Sequence, residues 1–177
     1  MEARGRSGLN GEMTTTAPLS AGSALILATG LGCALVAGVF FAFSSFVMRA
    51  LDRLPPDAAI TAMQSINVTA VRPLFMVALF GTGLSVVAVL VTAIRNRDDH
   101  PLGLLLIGAA LYLIGTIGLT VVHHVPLNDA LARLDPDAAD AAARWAAYST
   151  GWTRANHLRT GTALAAAAVF FWSLLPD

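Results

Sequence analysis

The chain has 177 residues, of which 56% are hydrophobic and only 12% charged, with a formal net charge of zero. Soluble domains carry about 25% charged residues, so this composition excludes an ordinary water-soluble fold and calls for a bilayer as outer solvent. A neutral chain also gives no electrostatic footprint for nucleic acid. Its mean hydropathy is +0.68. Every basic residue is Arg, and Ala is abundant, the usage expected of a GC-rich bacterial genome.

In chain order, residues 1–20 read as a disordered leader, with Met13 as a second candidate start. Ala21 to Met48 then runs without a charged residue. It is longer than the apolar part of a signal peptide, about 7–15 residues, so it reads as a retained helix. Pro73 to Ile94, Pro101 to Val122 and Thr160 to Pro176 are also free of charge. A crossing helix needs about 20 apolar residues, and the last run reaches that length by borrowing the turn at Asn156–Arg159. The predicted fold is all-α: a single domain over residues 21–177, a four-helix transmembrane bundle in the plasma membrane. Its spans are placed near residues 21–48, 73–94, 101–122 and 156–175. Four spans put both termini and the link Arg95–His100 on one side, and residues 49–72 and 123–159 on the other. Arginines near span ends orient membrane proteins, but they occur on both sides here and leave the orientation open.

The two long connections resemble each other. Residues 50–62 read ALDRLPPDAAITA and residues 130–142 read ALARLDPDAADAA, with nine of thirteen positions identical at an offset of eighty. The spacing predicts short amphipathic helices over 56–66 and 136–150 and is compatible with a parallel internal repeat. It is also compatible with Pro and Asp simply being good helix starters. Ile60, Met63 and Asn67 form a stripe on the first helix, and Trp145, Tyr148 and Trp152 form one on the second. Interfacial anchoring accounts for such aromatics, and substrate stacking is the alternative. Two stripes of small residues, Gly30-Ala34-Gly38-Ala42 and Gly161-Ala165-Ala168, read as helix-packing faces.

The polar residues at span ends carry the chemistry. Ser44, Ser45, Asn67, Arg72, Thr120, His123, His124, Asn128, Arg154, Asn156, His157 and Arg159 gather on one side of the membrane. Thr116, Thr120 and His124 share one helix face, while Arg154–His157 and Asn156–Arg159 are pairs three apart. Such groups are costly near hydrocarbon and tend to face a bundle interior. Interfacial snorkelling is the competing account for any one of them. No carboxylate lies within a span, and no His-x-x-x-His or Glu-x-x-His pair occurs, so no metal is expected. Haem held by one His from each of two helices remains the alternative. Cys33 is the only cysteine and reads as a small hydrophobe.

Four strings, in order, carry a resemblance. Gly38-Val-Phe-Phe-Ala-Phe-Ser-Ser-Phe-Val-Met48 closes the first span, and Met63-Gln-Ser-Ile-Asn67 precedes Arg72-Pro73. Val125-Pro-Leu-Asn128 precedes Leu131-Ala132, and Trp152-Thr-Arg-Ala-Asn-His-Leu-Arg-Thr160 opens the fourth span. Over about residues 21–175 the chain resembles the anthrone oxygenase-like family of small membrane proteins. It departs from the family at His124, where Asn is frequent, and at Ala155, where an aromatic is frequent.

The resemblance implies oxidation of anthrones to anthraquinones by O2, without a bound metal or flavin, so no cofactor is expected. It implies a general base and a donor for the developing oxyanion. His157 is the expected base, with Arg154 and Arg159 holding the enolate. Asn67, Asn128 and Asn156 are expected to orient the substrate, beside Arg72 and His124. Phe40, Phe43 and Trp152 are expected to line a flat apolar pocket. Expected partners are the lipid bilayer and a small apolar aromatic, with homo-oligomerisation left open. The alternatives are a non-catalytic membrane bundle, such as a transporter subunit or partner-binding protein, and a haem- or quinone-binding protein.

Overall fold

The computed structural model describes residues 20–96 and 101–175; the leader and most of the short link between the second and third spans lie outside them. The described residues are mostly helical, without a strand, and form five helices joined by short turns. These are α1 (Ala21–Leu51), α2 (Pro56–Ala70), α3 (Pro73–Arg95), α4 (Leu102–Ala132) and α5 (Ala141–Trp172). The three helices α1, α3 and α4 are long and apolar enough to cross a membrane. With α5 they close a ring in which α1 packs on α3, α3 on α4, α4 on α5 and α5 on α1. The outside of the ring is apolar: Leu31, Leu35, Phe41, Leu84, Ile114 and Leu164 are all exposed. On a water-soluble protein so much exposed apolar surface would be a liability.

Two helix boundaries depart from the sequence expectation. The third span does not stop at Val122 but continues to Ala132, through Pro126. A proline inside an α-helix lacks a donor, and its ring clashes with the carbonyl four residues back. Here the turn before it, Thr120–His124, is a wider π turn, which loosens the backbone where the clash would fall. The second amphipathic helix is also not separate. Residues 136–140 form turns, and from Ala141 one helix runs unbroken to Trp172. The first connecting helix does end, because Pro73 keeps Arg72 extended (φ −69°, ψ 155°). No proline stands between Ala141 and Trp172 to do the same.

The core has two parts. Along the ring, Cys33, Val36 and Phe40 of α1 meet Leu79 and Val86 of α3, Leu105 and Tyr112 of α4, and Phe170 of α5. At one end, Met48, Ile60 and Met63 pack with Leu131, Trp145, Tyr148 and Trp152. Both long connections therefore cap the same end of the bundle. Side chains clasp this cap: Gln64 Nε2 donates to the carbonyls of Leu131 and Leu134, both at 2.9 Å, satisfying the end of α4. Asp52 Oδ1 accepts from Trp145 Nε1 at 3.1 Å and Ser149 Oγ at 2.8 Å, tying the end of α1 to α5.

The small-residue stripes pack only in part. Gly30 is buried, and a Cβ there would sit 2.6 Å from the Phe171 ring, but Gly38 and Gly161 have open space around them. Residues four apart drift about 40° per step on an α-helix. A stripe that starts on the packing face therefore leaves it within two turns. The face that packs is Gly30, Cys33, Ala37 and Phe40 on α1, and Ala163, Ala166, Ala167 and Phe170 on α5.

Candidate active site

A cavity of about 160 Å³ lies where the ring core meets the cap. Phe40 and Phe43 of α1, Met63 and Asn67 of α2, Phe75 and Leu79 of α3, Thr120, His124 and Asn128 of α4, and Trp152 and Arg159 of α5 all line it. Three of these helices carry π turns at this level: Phe43–Val47, Val77–Gly81 and Thr120–His124. On α4 these wider turns offset the drift of a four-residue spacing. Thr116, Thr120, His124 and Asn128 consequently stay on the inner side, with Thr116 and His124 fully buried.

Arg159 is the strongest feature. Its side chain is 5% exposed, yet no carboxylate meets it; the ion pair among the described residues is Arg144–Asp140, on the surface. Neutral groups hold it instead. Asn156 Oδ1 accepts from its Nε at 3.1 Å and its Nη2 at 2.7 Å, and Thr120 Oγ1 accepts from Nη1 at 3.2 Å. The guanidinium carbon lies 3.7 Å above the centre of the Phe40 ring. Asn156 is itself anchored through Nδ2, which donates to the Phe40 carbonyl at 2.8 Å and to Ser44 Oγ at 2.7 Å. A buried cation without a counter-charge is expensive. The cost is offset in part by cation–π contact and is reduced further by any anion entering the cavity.

His124 stands across from it, 1% exposed. Its Nδ1 faces the Leu119 carbonyl at 3.4 Å. A carbonyl only accepts, so this nitrogen carries the proton and leaves Nε2 with its lone pair. That Nε2 is buried and has no partner. The Trp152 ring meets the imidazole edge-on, with centroids 5.2 Å apart, and fixes its plane. Asn67 Nδ2 is the second buried polar atom on the cavity without a partner. Asn128 is oriented by two donors on its Oδ1: Tyr148 Oη at 2.9 Å and Trp152 Nε1 at 3.1 Å.

The residues expected from the sequence divide clearly. Phe40, Phe43, Asn67, His124, Asn128, Trp152 and Arg159 converge on the cavity, and Asn156 braces Arg159 from behind. Three do not converge. His157 and Arg154 are exposed on the outer side of α5, and Arg72 is exposed at the start of α3. Each helical residue turns about 100° from the last. With Asn156 and Arg159 facing inward, His157 between them faces out. Phe75 was not anticipated, because it sits in an unbroken apolar run with no polar neighbour to mark it. Among the described residues no three His, Cys, Asp or Glu side chains converge as metal ligands.

A family model described as anthrone oxygenase matches residues 69–169, more than half of the chain. The protein belongs to the anthrone oxygenase family. Comparison with curated proteins finds no match, and comparison with solved structures finds none either. The matched stretch contains His124, Asn128, Trp152, Asn156 and Arg159, whereas Phe40, Phe43 and Asn67 lie before it. Within this anthrone oxygenase the cavity wall from α3, α4 and α5 is thus the family-matched part, and α1 and α2 complete it.

Tyr148, which holds the cavity residue Asn128 from the cap, makes a testable contribution ahead of the apolar part of α5. Burial pushes its phenol up to about 12, against weaker opposing influences of Asn67 and the Arg159 charge. An unfolded chain releases this proton near pH 10, before the folded one does. Between pH 10 and about 12 the folded state therefore binds more protons, and stability falls as pH rises. Tyr148→Phe is expected to unfold at a less alkali-sensitive temperature over that window, though it is less stable at neutral pH through loss of the Asn128 hydrogen bond. Thermal unfolding of both proteins in detergent across the window checks this.

Proposed function

We propose that this protein is a plasma-membrane oxygenase that crosses the bilayer four times. It oxidises an anthrone-like or other electron-rich aromatic with O2, without calling on a bound cofactor. The observation that carries the reading is the pairing of a buried guanidinium lacking a carboxylate with an unpartnered imidazole nitrogen across one apolar cavity.

Each group has a step. The substrate's acidic C–H, or the O–H of its enol, gives its proton to His124 Nε2. The oxygen of the resulting anion lies against Arg159, whose planar donors suit an enolate. The electron-rich ring carbon then bonds to O2, which is reduced to a peroxide anion at that carbon. Loss of the remaining hydrogen there, with cleavage of the O–O bond, yields the new carbonyl and water. His124 returns its proton to the departing oxygen. The apolar walls exclude water and strengthen both electrostatic contacts. Detergent-purified protein supplied with anthrone should consume O2 and form anthraquinone above the uncatalysed rate. Failure with every enolisable aromatic offered would overturn the oxygenase reading.

The fourth crossing rests on α5. Residues 156–172 rise roughly 25 Å, close to the hydrocarbon thickness of about 30 Å. Arg159 faces inward and adds no charge to the lipid side, while the exposed Arg154 and His157 sit at the end where an interface belongs. In a Cys33→Ser background, cysteines placed at Asp57 and Asp137 should be labelled from one face of the membrane. A cysteine at Arg95 should be labelled from the other. A cysteine at Leu175, beyond α5, should be labelled from the same face as Arg95, and its labelling from the face of Asp137 would reject the fourth crossing.

A further inference from the structure

Arg159 keeps donors that its protein partners do not engage. A guanidinium carries five N–H groups, and three of them are taken by Asn156 and Thr120. One N–H on each terminal nitrogen, Nη1 and Nη2, is left over among the described residues. The two acceptors are themselves fixed in place. Asn156 donates to Phe40 and Ser44, and Thr120 Oγ1 donates to the Thr116 carbonyl at 2.8 Å. The Phe40 ring covers one face of the guanidinium, so a ligand meets the donors at the edge. Two N–H groups and one unbalanced positive charge on an apolar cavity form a seat for an anion. Water can accept those hydrogen bonds but cannot balance the charge. A groove between α2 and α4 shares Asn67 and Asn128 with the cavity and carries Thr61, Arg72 and Asp129, which gives an ion a polar approach.

We infer that Arg159 seats one monovalent inorganic anion of the halide class in the substrate-free protein. Hydration decides the class. The walls are largely apolar, with Phe40, Phe43, Met63, Phe75 and Leu79, so an entering ion sheds most of its water. That cost rises with the square of the charge, which favours a weakly hydrated monovalent ion over sulfate or phosphate. A single guanidinium also balances a single charge. His124 Nε2 presents a lone pair rather than a hydrogen, which leaves the Arg159 end of the cavity as the seat. Such an anion relieves the buried cation and occupies the place given above to the enolate oxygen. The binding stands on the donors of Arg159 alone. Its second consequence, competition with substrate, rests on the proposed oxygenase reading.

Trp152 can report the occupant, because its ring lies 5.4 Å from the Arg159 guanidinium carbon and iodide quenches indole emission on contact. Trp172 is exposed, so it is first replaced in a Trp172→Phe background. In nonionic detergent, with gluconate holding the ionic strength constant, iodide should quench the full chain to a plateau. Chloride, a poor quencher, should displace the iodide and raise its midpoint, and sulfate should not. Arg159→Met should lose the plateau and keep only linear, collisional quenching. Linear quenching before that substitution overturns the inference. So does a plateau that survives in a folded Arg159→Met protein, or one that sulfate displaces as well as chloride does. If Arg159→Met does not fold, the competition among iodide, chloride and sulfate decides alone. In O2 uptake, chloride should raise KM for anthrone and leave kcat unchanged. An active enzyme whose KM ignores saturating chloride overturns the shared seat. Anion binding in a protein that never consumes O2 upholds the anion site and defeats only the oxygenase reading. O2 uptake without a plateau does the reverse.

Discussion

His124→Ala is expected to lower O2 uptake by about 10²–10⁴-fold, the range of a positioned general base, while His157→Ala stays within about two-fold of wild type on the same scale. The contrast follows from geometry. Nε2 of His124 is buried on the cavity and unpartnered, whereas His157 is exposed on the outside of α5. Neither loss should come from unfolding. His124 makes one long hydrogen bond, at 3.4 Å, so its removal sacrifices mainly packing against Trp152. Added imidazole should restore part of the His124→Ala rate, because the substitution leaves a ring-sized space against Trp152. Rates from O2 uptake, normalised to protein that melts cooperatively, decide the matter. A His124→Ala enzyme at wild-type speed, or a dead His157→Ala enzyme, removes the base from this position.

The apolar helices were legible because charge-free runs of this length admit few other readings, and three helices long and apolar enough to cross a membrane begin where those runs begin. The polar cluster was legible as a cluster for the same reason: polar groups beside hydrocarbon need a cause. Which of its members face inward was not. His123, His124 and His157 are chemically alike, and each has one polar and one apolar neighbour in sequence. The inner face of α5 is spelled by Trp152, Asn156, Arg159 and Ala163, at steps of four, three and four, and His157 falls one residue off it. On α4 the same four-residue step holds its face only because π turns widen the helix, and nothing in the residues themselves announces those turns. On α1 an equal spacing of small residues drifts away from the contact. Phe75 was hidden for a different reason. A wall is defined by the space on its two sides, and an apolar run gives no sign of where space is left.

Arg159→Met should separate activity from stability more sharply than any other single change. A group that holds a developing oxyanion is worth about 10²–10³ in rate, so O2 uptake should fall by that factor with substrate saturating. Stability should move little. Removing the guanidinium relieves a buried charge that no carboxylate balances, and replacing buried ions with apolar side chains is often neutral or favourable. Against that, Asn156 Oδ1 loses both of its donors, at a cost of about 1–3 kcal/mol. The two effects oppose each other, and methionine keeps an unbranched chain over Phe40. Asn156→Leu is the informative contrast. It leaves Arg159 charged, buried and without its main acceptor, and it frees the Phe40 carbonyl and Ser44. That variant should lose both activity and several degrees of melting temperature. Arg159→Lys should fall between them in rate, because an ammonium cannot donate to Asn156 and Thr120 and still present a flat donor edge to an anion. If Arg159→Met and Asn156→Leu instead lose stability and activity in the same proportion, the guanidinium is a structural brace joining α1, α4 and α5, and the oxyanion must be held elsewhere.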